Sequence, residues 1–107
     1  MKTIHNKLVR DLIPQIIEKD NKQATISSLN KKEKIAALKT KLKEEVIECQ
    51  LANSDNELAE ELADVLEIMY ELAKCHNYSF EQIEEIRKVK KEQRGGFEKG
   101  IYLHDVE

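Results

Sequence analysis

The sequence predicts an all-α antiparallel helical bundle, and three observations carry that prediction. The 107 residues contain only three Gly and one Pro, whereas a many-stranded fold needs a turn signal roughly every 8–12 residues. Apolar residues recur at spacings of three and four along two long segments, the period of one helix face. Residues with helix-capping chemistry stand at the segment boundaries, among them Asp11, Ser54, Ser79 and Gly95. The length fits a single domain over 1–107.

From the N-terminus, residues 5–20 read as a short lead-in followed by a helix. Asp11 is placed to cap it, and Pro14 falls in the first turn, where a missing N–H costs little. Ile13, Ile16 and Ile17 give it a small apolar face. Asp20 to Asn30 is polar and reads as a loop, with Ala24-Thr25-Ile26 as the one stretch of strand character. The first long helix covers 31–53, with Ile35, Leu38, Leu42, Val46 and Cys49 on one side. Asn53-Ser54-Asp55 breaks the pattern, and Ser54 or Asp55 caps a second helix to about residue 76. Its inward positions are Leu58, Leu62, Val65, Leu66, Met69 and Leu72. The short connection makes these two helices antiparallel neighbours. Ser79 caps a third long helix with Ile83, Ile86 and Val89 on its apolar face, and Gly95-Gly96 ends it. Phe97, Ile101, Tyr102 and Leu103 form a tail expected to pack back on the bundle. A chain this short buries only part of its surface, so an apolar face is expected to remain for a partner subunit, making a homo-oligomer.

Charge is uneven. Net charge is -3, yet residues 44–85 hold thirteen Asp or Glu and a single basic residue, Lys74. An acidic middle between basic arms does not suit a nucleic-acid polymer, which calls for a basic stripe. There is no apolar run near the roughly 20 residues needed to span a bilayer, and Met1 to His5 carry no signal-type apolar region. A cytoplasmic protein without membrane contact is the expectation. Cys49 and Cys75 have no metal-type spacing and read as buried free thiols. His5, His76 and His104 are scattered and read as surface residues.

The chemistry is concentrated between Lys43 and Ala73. Glu45 and Glu48 share one helix face, Glu61 and Asp64 another, and Glu44 lies four residues from Glu48. Extension of the Leu38, Leu42 stripe puts Glu45 on or beside the buried face, and Glu61 borders the stripe of the second helix. Acids at a helix seam repel one another. They persist there when protonated, paired with cations or bound to metal. Oxygen-only donors suit hard cations, magnesium or manganese. The plainer reading is a solvated acidic face, which is assigned to Glu57, Glu60, Glu67, Glu71, Glu81, Glu84 and Glu85.

The pattern Glu44-Glu45-x-x-Glu48, twelve residues, then Glu61-x-x-Asp64 resembles the signature of the MazG-like all-α nucleoside triphosphate pyrophosphohydrolases. Asn6-Lys7-Leu8-Val9-Arg10-Asp11-Leu12-Ile13-Pro14 and Arg94-Gly95-Gly96-Phe97-Glu98-Lys99 resemble the ends of a small single-domain, phosphoribosyl-ATP pyrophosphohydrolase-like subgroup. The resemblance implies a helical homodimer or homotetramer that uses Mg2+, with Mn2+ as a substitute. It implies cleavage between the α- and β-phosphates of a nucleotide, releasing a monophosphate and pyrophosphate. Glu45, Glu48, Glu61 and Asp64 would be metal ligands. Glu44 would be a further ligand or the catalytic group that orients the attacking water.

The basic arms complete the expectation. Lys7 and Arg10 at one end, and Lys91, Arg94 and Lys99 at the other, are positioned in sequence to neutralise outer phosphates. Arg makes forked phosphate contacts. Lys91 equally suits the negative end of its own helix. Tyr70 reads as core, and no aromatic pair for holding a base is apparent. The principal reading is a magnesium-dependent pyrophosphohydrolase that clears non-standard nucleotides. The alternatives are phosphoribosyl-ATP hydrolysis in histidine synthesis, and a non-catalytic helical sensor or interaction module.

Overall fold

The computed structural model describes residues 2–107. It is all-helical, with α1 (Ile13–Lys19), α2 (Lys31–Leu51), α3 (Asp55–Cys75) and α4 (Phe80–Arg94). There is no strand among the described residues, so Ala24-Thr25-Ile26 is irregular backbone. None of these helices is long and apolar enough to cross a membrane.

Capping chemistry sets the boundaries. Asn30 accepts from the Glu33 N–H at 2.8 Å, and the Glu33 carboxylate accepts from the Asn30 N–H at 3.0 Å. This reciprocal box fixes the start of α2. Ser54, rather than Asp55, caps α3 by accepting from the Glu57 N–H, while Glu57 accepts from the Asn53 N–H at 2.7 Å. Ser79 caps α4 as expected, in a second box with Gln82. α1 and α3 end in Schellman turns, with Asn21 and Asn77 in the left-handed region at φ 60 and 64. Asn tolerates that conformation better than most non-glycine residues. Gly95, at φ 82, follows α4.

The expected Asp11 cap is absent. Leu12 occupies the N-cap position without a side-chain bond. A backbone turn, Ile13 N–H to the Arg10 carbonyl at 3.0 Å, leads the chain into the helix instead. Pro14 has no N–H for a cap to satisfy.

α2 and α3 form one antiparallel pair, joined by residues 52–54. The only buried hydrophobic residues are Leu38, Ile68 and Ala73 among the described residues, with Ile35, Leu42, Val65 and Leu72 half-buried around them. One polar tie crosses the seam. Lys34 Nζ lies 2.6 Å from Glu71 Oε1. Glu71 is therefore a paired seam residue, not a freely solvated acid. Glu71 raises the pKa of Lys34 and Lys34 lowers that of Glu71, each chiefly through this hydrogen bond.

The predicted apolar stripes are only partly covered. Val46 is exposed, as are Leu58, Leu62, Leu66 and Met69 of α3, and Ile86 and Val89 of α4. Ile68, absent from the expected stripe, is buried instead. α3 carries apolar residues on two faces, and α2 covers one of them. The tail does not pack back, because Phe97 is 97% exposed and Ile101, Tyr102 and Leu103 are also bare. The outcome is an elongated chain of 61 × 35 × 25 Å. Its radius of gyration is 18.2 Å, against about 13 Å for a compact chain of this length.

Candidate metal centre

The antiparallel pairing of α2 and α3 brings Glu45 opposite Glu61, with Asp64 one turn further along α3. One carboxylate oxygen from each of Glu45, Glu61 and Asp64 lies within 4.8 Å of the other two. All three residues are half-buried at the seam, and the Glu45 side chain is 15% exposed. Helix geometry explains the cluster. Glu61 and Asp64 are three apart, on one face, and Glu45 continues the Leu38, Leu42 line along α2.

The electrostatics are unbalanced. The Glu61 carboxyl is pushed above its ordinary range, first by a hydrogen bond with Glu45, then by burial and by the charges of Glu45, Asp64 and Glu48. Three carboxylates at this separation resist full ionisation without a counter-cation. The Cys49 thiol, one turn from Glu45, is also pushed up, by burial and then by Glu61, Glu45 and Asp64. It stays a neutral thiol beside an all-oxygen donor set. Cys49 and Cys75 are half-buried free thiols, more open than expected.

Two cations reach the cluster from outside the acidic segment. Arg10 Nη2 lies 2.7 Å from Asp64 Oδ1. Lys41 Nζ lies 3.9 Å from Glu45 Oε1, one helical turn away. The acidic segment itself holds only one basic residue, Lys74, and a fold contact over 54 positions supplies Arg10.

The other expected site residues divide into two groups. Glu48 is exposed and outside the three-oxygen cluster, although its charge still acts on Glu61. Glu44 is exposed and lines a groove with Asn6, Lys7, Thr40 and Lys41. Lys7 and Arg10 therefore approach α2 and α3 from one side. Lys91, Arg94 and Lys99 lie on the exposed stretch of α4 and the tail, and no ion pair joins them to the carboxylates among the described residues.

An aromatic pair not apparent in the sequence is present. Tyr70 and Phe80 have ring centroids 3.9 Å apart, and they line a cleft with Glu67, Lys74 and Tyr78 at the C-terminal end of α3. Tyr70 is partly exposed, not core. The contact is made by the turn between α3 and α4, which spacing within one helix does not reveal. The three histidines are exposed.

The donor set fits a hard divalent ion. Octahedral magnesium, with bonds of about 2.1 Å, holds its ligand oxygens roughly 3 to 4.2 Å apart. The three oxygens lie within 4.8 Å of one another, so small side-chain rotations would bring them into that range. No protein-family model matches the chain, and neither a curated protein nor a solved structure matches it.

Proposed function

We propose that this chain is a magnesium-dependent nucleotide pyrophosphohydrolase of the MazG-like all-α kind, acting as a homo-oligomer. The observation that carries the proposal is the meeting of Glu45, Glu61 and Asp64 within 4.8 Å at the seam of α2 and α3. The Glu44, Glu45, Glu48, Glu61, Asp64 pattern supports it.

Bound magnesium would polarise the phosphate chain and lower the pKa of a coordinated water. The chain's own residues do the rest. Glu45, Glu61 and Asp64 would hold the ion, and Glu48, exposed beside them, would be the fourth carboxylate available to it. Glu44 faces the groove shared with Lys7, where an unliganded carboxylate orients water and accepts its proton. Arg10 and Lys7 border the acidic cluster and the groove, and they neutralise phosphate oxygens there. Arg94, Lys91 and Lys99, on the exposed arm, would serve the outer phosphates only where the arm is carried to the site. The reaction yields a nucleoside monophosphate and pyrophosphate, and a non-standard nucleotide is the proposed substrate class.

The test is a screen of standard and damaged nucleotides, and phosphoribosyl-ATP, for magnesium-dependent pyrophosphate release. Turnover that Glu45→Gln abolishes without loss of helicity is the expected result. Nucleotide binding without product would identify a sensor. No turnover and no metal binding would leave only the interaction module.

A further inference from the structure

Every residue from Glu85 to Glu107 is exposed. Within α4 only Phe80, Ile83 and Glu84 are half-buried, with Phe80 packed on Tyr70 of α3, and every residue beyond them is exposed. An isolated helix of under about 12–15 residues is marginal in water, so the outer part of α4 requires support. The tail that follows is equally bare, and it carries Phe97, Ile101, Tyr102, Leu103 and Val106. On the same molecule, Leu58, Leu62, Leu66 and Met69 form a stripe along α3 that remains 37–53% exposed.

We propose that the arm formed by outer α4 and the tail of one copy lies on the outer α3 face of a second copy, and the reverse, giving an arm-exchanged dimer. The inference rests on the oligomeric part of the function proposed above and adds its geometry. Three features favour a second copy of this chain as the occupant.

The first is charge. Residues 86–100 hold six Lys or Arg against two Glu, whereas α3 holds seven Asp or Glu against one Lys. The opposite net charges of the arm and α3 favour their encounter. The second is length. The α3 stripe from Leu58 to Met69 spans roughly 17 Å at helical rise, and an extended tail of ten residues reaches about 30 Å. One arm is therefore long enough to cover the stripe. The third is area. Exposed aromatics such as Phe97 and Tyr102 offer roughly 150 Å² or more each. With the aliphatic residues, an arm buries on the order of 500 Å². Two arms and the faces they cover then bring about 2,000 Å² out of water, the upper end of a standard stable interface. A two-fold exchange closes on itself and leaves no arm free to propagate.

Light scattering reads the mass of the full chain, beside that of a Phe97→Asp, Ile101→Asp, Leu103→Asp variant. The expected result is a dimer, or a multiple of it, for the natural chain and a helical monomer for the variant. A cross-link separates exchange from simple refolding of the tail. With Cys49→Ala and Cys75→Ala in place, Leu66→Cys with Ile101→Cys should oxidise to a covalent dimer on a denaturing gel. An intrachain link, or no link, overturns the exchange. A natural chain that scatters as a monomer overturns both the exchange and the oligomeric reading. An oligomer that survives the tail substitutions overturns the exchange alone. Neither measurement depends on turnover, so the catalytic reading stands or falls separately.

Discussion

Replacing Arg10 with Ala should move metal affinity and catalysis in opposite directions. Arg10 holds Asp64 at 2.7 Å, with side-chain exposures of 57% and 41%. A divalent ion that takes Asp64 as a ligand must displace the guanidinium. Exposed pairs of this kind contribute about 0.2–1 kcal/mol. Because about 1.4 kcal/mol corresponds to tenfold, Arg10→Ala should tighten magnesium binding roughly 1.4- to 5-fold when no nucleotide is present. Loss of the positive charge beside the phosphates should lower kcat/KM, by about tenfold or more where a charge-assisted hydrogen bond of 1.5–3 kcal/mol is lost. Isothermal titration with Mg2+, or Mn2+ where heats are small, reads the first quantity, and pyrophosphate release reads the second. Weaker magnesium binding in Arg10→Ala would show that Arg10 organises the carboxylates and does not compete for them. Unchanged kcat/KM would remove it from the phosphate site.

Further expectations concern the cluster and the seam. Glu61→Gln should abolish the thermal shift given by Mg2+ while leaving the metal-free chain at least as stable, since it removes one of three mutually repelling charges. The pH dependence has a defined sign. The Glu61 pKa is raised in the folded state above the ordinary carboxylate value, so its favourable contribution is complete at low pH and is lost as pH rises through the raised value. Melting curves of the metal-free chain should therefore show the advantage of Glu61→Gln over the natural chain growing as pH rises from about 4 to neutrality; an advantage that shrinks would contradict the shift. Glu71 behaves oppositely. Its lowered pKa gives stability that is present above the ordinary carboxylate range and lost on acidification, and Lys34→Met should cost at most about 1 kcal/mol in urea melts because the pair is partly solvated. Leu38→Ala should cost about 2–4 kcal/mol, since Leu38 is 5% exposed in a seam with few other buried side chains. A loss below about 1 kcal/mol would mean that α2 and α3 are not held by this contact.

The helix boundaries were legible because they are local. Ser54, Ser79, Gly95 and the short 52–54 connection act within a few residues, and the structure places each as its chemistry dictates. The Asn30–Glu33 box was equally available in the sequence, as Asn followed three residues later by Glu. Asp11 misled because a backbone turn from Arg10 to Ile13 leads into α1 and Pro14 offers no N–H to a cap at Asp11. The carboxylate trio was legible for a related reason. Glu61 and Asp64 share a face at i, i+3, and an antiparallel neighbour sets Glu45 against them. Arg10 was visible as a basic residue, but its partner was not, because contact with Asp64 depends on how residues 2–12 cross the helices. The same holds for Tyr70 and Phe80, which meet across a turn.

α3 shows where helical periodicity stops being informative. Leu58, Leu62, Leu66 and Met69 have the spacing of a buried stripe, and so do Val65, Ile68 and Leu72. A helix with two apolar faces specifies that both be covered, without specifying by what. Within one chain α2 takes the face that includes Ile68, where Leu38 is buried and Lys34 pairs with Glu71. That choice also turns Glu61 and Asp64 toward Glu45. Had α2 packed on the Leu62 face, Ile68 would be bare and the three carboxylates would not share one seam. The uncovered stripe and the assembled acid cluster are therefore consequences of one packing decision. A variant that buries Leu62 within its own chain should disperse the acid cluster and, with it, the proposed metal site and the proposed partner surface.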